Sequence, residues 1–220
     1  MRKSLKITLL LSMIVLFNCG SKQECQENIN LLPMYGEVKK CEEQIRLDND
    51  FLKTCDQKYK TRKEASKYFT EKAWGYFYKN DLETSMKRFN QAWLLDKENY
   101  ETYWGFGNIL GKKQMYKESI KYLEKSNKIN TKNSNLYFCL ALSYGQLYFK
   151  KQDGKLLDKS VSNLKKSIAL DKMNTSAYAQ LTAAYSLTYF TQRDSARKYL
   201  KITDKLDQNA INPKVRRILE

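Results

Sequence analysis

Apolar residues in this chain of 220 residues recur at steps of three and four over most of its length, the spacing of one face of an α-helix. From Val38 the apolar positions run Val38, Cys41, Ile45, then Leu52, Cys55 and Tyr59, with Asp48 as the polar interruption. This predicts either one long helix or two helices joined by a turn at Asp48-Asn49-Asp50. From residue 66 the pattern copies itself. Phe69 is matched by Tyr103 and Tyr137, Phe89 by Leu123, Leu95 by Ile129 and Asp96 by Asn130, with an offset of 34 residues. A looser fourth copy runs through Tyr178, Leu200, Leu206 and Asp207. Self-similarity at such a period predicts a stacked array in which each unit covers the apolar face of its neighbour.

Small residues keep the same register. They are Ala73, Ser85 and Ala92; Gly107, Ser119 and Ser126; Ala141, Ser160 and Ser167; Thr182, Ala196 and Thr203. Short side chains recurring in this way let helix backbones approach to about 8–10 Å. With the 34-residue period, they make residues 66–209 resemble the tetratricopeptide (TPR) repeat family. That resemblance implies an all-α fold, a helix-turn-helix solenoid of four repeats (66–99, 100–133, 134–174 and 175–209). Residues 37–65 form an N-terminal helical extension. In 210–220, Asn212 and Pro213 start a short capping helix whose Val215, Ile218 and Leu219 cover the last repeat. The chain departs from the family in three ways. Lys97, Thr131, Lys172 and Gln208 stand where a proline usually ends the repeat. Repeat 3 carries seven extra residues around Lys150 to Gly154, read as longer helices with a looser turn, and repeat 4 two extra near Thr191-Gln192-Arg193.

The first residues read as an address. Arg2, Lys3 and Lys6 precede an uncharged run from Ile7 to Phe17, too short to span a bilayer and suited to a cleaved leader. Leu16-Phe17-Asn18-Cys19 resembles the lipobox of bacterial lipoproteins, in the looser form familiar in Bacteroidota. The resemblance implies a signal peptide over 1–18, lipid on Cys19 and a tether over 19–36. Gly20 in place of Asp points to an outer membrane. The expectation is an exported protein, anchored to a bacterial membrane by lipid.

Loss of residues 1–18 leaves 37 basic against 24 acidic residues, a net charge of +13. In an exported protein this argues against nucleic acid and towards a solvated lysine surface, or attraction to anionic lipid, lipopolysaccharide or capsule. The bases are scattered along the chain, with no dominant run. There is no histidine, which removes Ser-His-Asp and Cys-His catalysis and the commonest metal ligand. No CxxC occurs. No enzyme activity, cofactor or metal is expected. Beside Cys19 there are Cys25, Cys41, Cys55 and Cys139. Cys139 is expected as a buried small side chain. Cys41 and Cys55 are expected to form a disulfide if 37–65 folds as a hairpin, because a straight helix would hold them about 21 Å apart.

The TPR resemblance also implies that function lies on the concave face lined by the first helix of each repeat. Carried over position by position, that face holds Trp74, Tyr78, Trp104, Asn108, Lys112 and Phe138. The family's carboxylate clamp is not supported, since its positions hold Thr70, Trp74, Asn108, Phe138 and Leu142 and only Asn108 fits. Aromatic side chains in a groove suit a protein or peptide partner in the cell envelope. The competing expectation is that residues 37–65 themselves pack into the groove.

Overall fold

The structure is a computed structural model that describes residues 24–187 and 192–219. The leader, Cys19 and Thr191 lie outside the described residues. The repeat array is a continuous stack of helical hairpins: α2 (Arg62–Tyr78) with α3 (Leu82–Leu95), α4 (Tyr100–Lys112) with α5 (Tyr116–Ile129), α6 (Ser134–Lys151) with α7 (Gly154–Leu170), and α8 (Thr175–Leu187) with α9 (Arg193–Leu206). Before them comes α1 (Glu42–Lys58), and after them α10 (Pro213–Leu219). The fold is the all-α solenoid expected from the 34-residue period. Successive first helices touch, α2 with α4 and α4 with α6, whereas the second helices do not pack together to that extent. The first helices therefore line the concave side.

The small residues explain how the helices cross. Ser85 donates from Oγ to the carbonyl of Ala73 at 2.9 Å. Ser119 does the same to Gly107 at 2.8 Å, and Ser160 to Ala141 at 2.8 Å. Each hydroxyl is buried and is satisfied across the hairpin, so a polar side chain costs nothing at the closest approach. The missing prolines have a substitute. Asp96, Asn130, Asp171 and Asp207 each end a second helix in extended backbone. Each accepts from the amide two residues on, at 2.9, 3.0, 2.9 and 2.8 Å. This Asx turn stops the helix and redirects the chain. Within the hairpins, the turn residues Asn80, Gln114 and Gln152 take left-handed φ of 62°, 60° and 55°.

The extra residues of repeat 3 lengthen both helices, to 18 and 17 residues against 13 and 14 in repeat 2. The turn between them is tight and not loose as expected. Gln152 closes α6 and Asp153 caps α7 through Lys155. Ile129 and Leu170, the last residues of α5 and α7, are exposed.

The N-terminal region corrects two expectations. Residues 42–58 form one helix that runs straight through Asp48 to Asp50. Cys41 caps its start and Cys55 lies near its end, so they cannot bond. Cys41 is instead bonded to Cys25, with Cα atoms 5.2 Å apart, and Cys55 is a buried free thiol. Nor are residues 24–36 a plain tether. They fold into two 3-10 turns, Ile29–Leu31 and Pro33–Glu37, laid across α3. Met34, Tyr35, Gly36 and Glu37 all have positive φ, between 54° and 70°. Three of these are not glycine, at about 1–2 kcal/mol each. Buried Asn90 of α3 holds them. Its amide donates to the carbonyls of Asn30 at 2.9 Å and Leu32 at 2.8 Å, and its oxygen accepts from the Tyr35 amide at 3.3 Å. Met34 is 3 % exposed and packs into the core of the first two repeats.

Helix α1 covers the open end of the stack. Phe51 meets Phe69 edge to face at 5.2 Å, and Cys55 packs with Ala65 and Leu95. At the other end Val215 and Leu219 of α10 are buried against repeat 4, with Ile218 left exposed. Both ends of the core are thus closed, and neither α1 nor the strap occupies the concave side.

Candidate functional site

The concave groove begins with an aromatic cluster on α2 and α4. The indole of Trp74 lies 4.9 Å from Trp104, 5.4 Å from Phe77 and 6.0 Å from Tyr78, measured between ring centroids. Its back rests on the buried ring of Phe89 at 5.1 Å. Its Nε1 donates to Glu101 Oε2 at 3.3 Å. Trp74 and Trp104 are half-buried, while Tyr78 is 78 % exposed. Tyr78, stacked on a tryptophan held from behind, forms an open aromatic ledge.

Asn108 and Cys139 continue the surface. Trp104 Nε1 donates to Cys139 Sγ at 3.5 Å, and the thiol donates to Asn108 Oδ1 at 3.3 Å. Asn108 Nδ2 donates to the Trp104 carbonyl one turn back, at 2.9 Å. Burial pushes the Cys139 thiol up, so it stays protonated and acts as a small hydrogen-bonding side chain. Lys112 reaches back to Asn80 Oδ1 at 3.1 Å with its ammonium 4.7 Å above the Phe77 ring. It edges the groove and ties repeat 2 to repeat 1.

Of the six groove residues read from the sequence, the structure gathers Trp74, Tyr78 and Trp104 into one cluster and sets Asn108 and Lys112 beside it. Phe138 stands apart: it packs on the core that repeats 3 and 4 share. Beyond the aromatic end the groove opens into a hollow of about 370 Å³ lined by Phe77, Asn108, Cys139, Leu142 and Gln146. Leu142 and Gln146 also line the next hollow, of about 250 Å³, with Phe149, Gln180 and Ala183. Phe149, 56 % exposed, was not legible as a groove residue, since α6 is a turn longer than the repeat predicts.

From repeat 2 onward the groove is close to neutral. Helices α4, α6 and α8 carry Lys112, Lys150 and Lys151 against Glu101, which is held by Trp74. Among the described residues no group of three or more cysteine or carboxylate side chains gathers as an ion site. Among them too, no helix is long and apolar enough to cross a membrane. Cys19 lies outside the described residues.

Fold and groove together define a helical-repeat protein of the TPR type with an open concave face. No protein-family model matches the chain, and no curated protein is significantly similar to it. Solved structures do match. MamA shares 19 % identity over 78 % of this chain and 96 % of its own, with a TM-score of 0.56. A thermophilic TPR protein of Thermus thermophilus shares 16 % identity over 70 % of this chain and 79 % of its own, at 0.57. An O-GlcNAc transferase of Thermobaculum terrenum shares 15 % identity over 66 % of this chain but 27 % of its own, also at 0.57. At these identities the likeness is one of fold.

Proposed function

We propose that this chain is an exported lipoprotein scaffold whose concave groove holds a peptide segment of another envelope protein. The observation that carries the reading is the aromatic ledge in which exposed Tyr78 stacks on half-buried Trp74, beside half-buried Trp104. The chain's own N-terminal region packs at the end of the stack and on α3, and leaves it uncovered. Aromatic anchors supply most of the energy of such interfaces. The amide side chains of Asn108, Gln146 and Gln180 supply donors and acceptors to the backbone of an extended segment. A near-neutral groove favours apolar and uncharged polar partner residues over a charged terminus. The leader and the cysteine at position 19 support the envelope address, with lipid on Cys19 and an outer membrane as its destination.

The test is a crosslinked capture of partners from the native membrane fraction, wild type beside Trp74→Ala/Trp104→Ala. A discrete partner present with wild type and lost with the variant is the expected result. A partner retained at full yield moves the site out of the groove. Radiolabelled palmitate incorporated by the wild type and not by Cys19→Ser tests the anchor separately.

A further inference from the structure

The scattered lysines of the sequence are gathered by the fold. Helices α5, α7 and α9, the second helices of repeats 2 to 4, carry thirteen lysines and arginines against five carboxylates, an excess of eight positive charges. All thirteen bases are exposed. Two of the five carboxylates are engaged, Glu124 by the Tyr144 hydroxyl at 2.5 Å and Asp204 by Arg216. Several of the lysine ammonium groups lie over tyrosine rings of the first helix of their own repeat. Lys125 sits 4.7 Å over Tyr103, Lys159 5.2 Å over Tyr144, and Lys166 5.6 Å over Tyr137. These cation–π contacts hold the ammonium groups in place at the exposed surface. The first helices of the same repeats, α4, α6 and α8, carry an excess of two. The asymmetry is between the two helix layers of repeats 2 to 4; in repeat 1 the excess is two on α2 and one on α3.

The N-terminal strap marks the same face. It lies across α3, and α5 reaches it through Lys121 with Glu37 at 3.7 Å and Lys125 with Met34 at 3.4 Å. The Cys25–Cys41 bond fixes the strap's start to the cap of α1. Five residues separate Cys19 from Cys25, six steps that span at most about 20 Å. An anchor at Cys19 would therefore hold the bilayer close to the convex side and leave the groove facing away.

We propose that the layer of second helices is a membrane-docking face, complementary to the anionic headgroups of a phospholipid bilayer. It attaches electrostatically, over a range of about one Debye length, and orients the groove away from the lipid. The docking face does not need the groove reading. Only the tether argument rests on lipid at Cys19.

Residues 24–219 carry their own core and are capped at both ends, so a chain begun at Gly20 tests the face without leader or anchor. It is mixed with vesicles of phosphatidylglycerol and phosphatidylethanolamine, or of phosphatidylcholine alone, and floated. Binding to the anionic vesicles, absent from the neutral ones and lost in about 0.5 M salt, is expected. The variant Lys128→Glu/Lys155→Glu/Lys198→Glu/Lys201→Glu should weaken it at least tenfold. A variant with the same change of net charge on the first-helix side, Lys63→Glu/Lys72→Glu/Lys79→Glu/Lys151→Glu, should change it less than threefold. Equal loss in both variants, or full binding by the first, overturns the proposal. So does tight binding to a soluble acidic polysaccharide with none to vesicles. Circular dichroism checks that each variant folds, and Lys→Gln at the same four positions replaces a variant that does not. Trp74→Ala/Trp104→Ala should bind vesicles as the wild type does, which separates failure of this face from failure of the groove.

Discussion

Trp74 and Trp104, on successive first helices, meet edge to face with their ring centroids 4.9 Å apart. The pair therefore joins repeat 1 to repeat 2 as well as forming the floor of the groove. A double-mutant cycle on urea unfolding should give a coupling of about 0.5–1.5 kcal/mol between Trp74→Ala and Trp104→Ala. Strict additivity would mean that the two rings act independently and that the cluster is not a unit.

The crossing hydrogen bonds make a graded prediction. Ser119 Oγ is 2.8 Å from the Gly107 carbonyl and 2.9 Å from Ser143 Oγ, with no exposure to water. Ser119→Ala should cost about 1 kcal/mol, the net worth of a buried hydrogen bond. Ser119→Leu should cost more than twice that, because the added carbons enter the closest approach of α4 and α5. Urea midpoints rank the two, and a Leu variant as stable as the Ala variant would remove the steric reason for the small residues.

Gly105 is the tightest of the described glycines. A Cβ there would lie 2.2 Å from the far carbon of the Phe89 ring, which is fully buried and is itself pinned by Trp74 and Phe106. Alanine in a helix interior is ordinarily better than glycine by about 1 kcal/mol. Here the ring must be displaced from a filled core, so Gly105→Ala should lower stability by about 1–3 kcal/mol. Thermal unfolding measures the sign, and an increase in melting temperature would show that Phe89 has room to move.

Thiol chemistry checks the pairing. A digest of the unreduced protein should yield the Cys25 and Cys41 peptides linked, and no Cys41–Cys55 product. In a chain begun at Gly20, Cys55 and Cys139 should react slowly with a thiol reagent until denaturant is added, since burial raises both thiols. Cys25→Ser/Cys41→Ser should cost about 3 kcal/mol of stability if loop closure dominates. It should loosen hydrogen exchange at residues 24–41 first, before the repeats.

Stability should also fall in alkali. Burial raises Tyr35, Tyr103 and Tyr122, and the Glu124 carboxylate adds to burial at Tyr144. A tyrosine raised in the fold holds its proton where the unfolded chain loses it. Its contribution is complete below the ordinary value of about 10 and is lost progressively above it. Urea midpoints should therefore be flat from pH 7 to about 9 and drop beyond about 10. Tyr144→Phe should reduce the slope of that drop. An unchanged slope would mean that Tyr144 ionises as it does in the unfolded chain.

Much of the architecture was legible because it is local. The 34-residue register, the small residues at the crossings and the Asn212-Pro213 start of α10 all follow from helix geometry, which repeats along the chain itself. The groove was legible in part for the same reason: Trp74, Tyr78 and Trp104 occupy equivalent or adjacent turns of successive first helices, and they do meet. Phe138 follows the same register and still joins the core shared by repeats 3 and 4. Phe149 escaped notice because it lies in the turn that α6 gains beyond the family length.

The sequence by itself determined the helical repeat, its period, its number of hairpins and the chemistry at its crossings, since each rests on side chains a few turns apart. Only the tertiary structure decided that Cys41 bonds Cys25 and not Cys55, that the strap lies on the convex side with Met34 in the core, and that thirteen scattered bases share one layer of helices. Those facts depend on distances between residues far apart in the chain, which have no value until the solenoid closes around them.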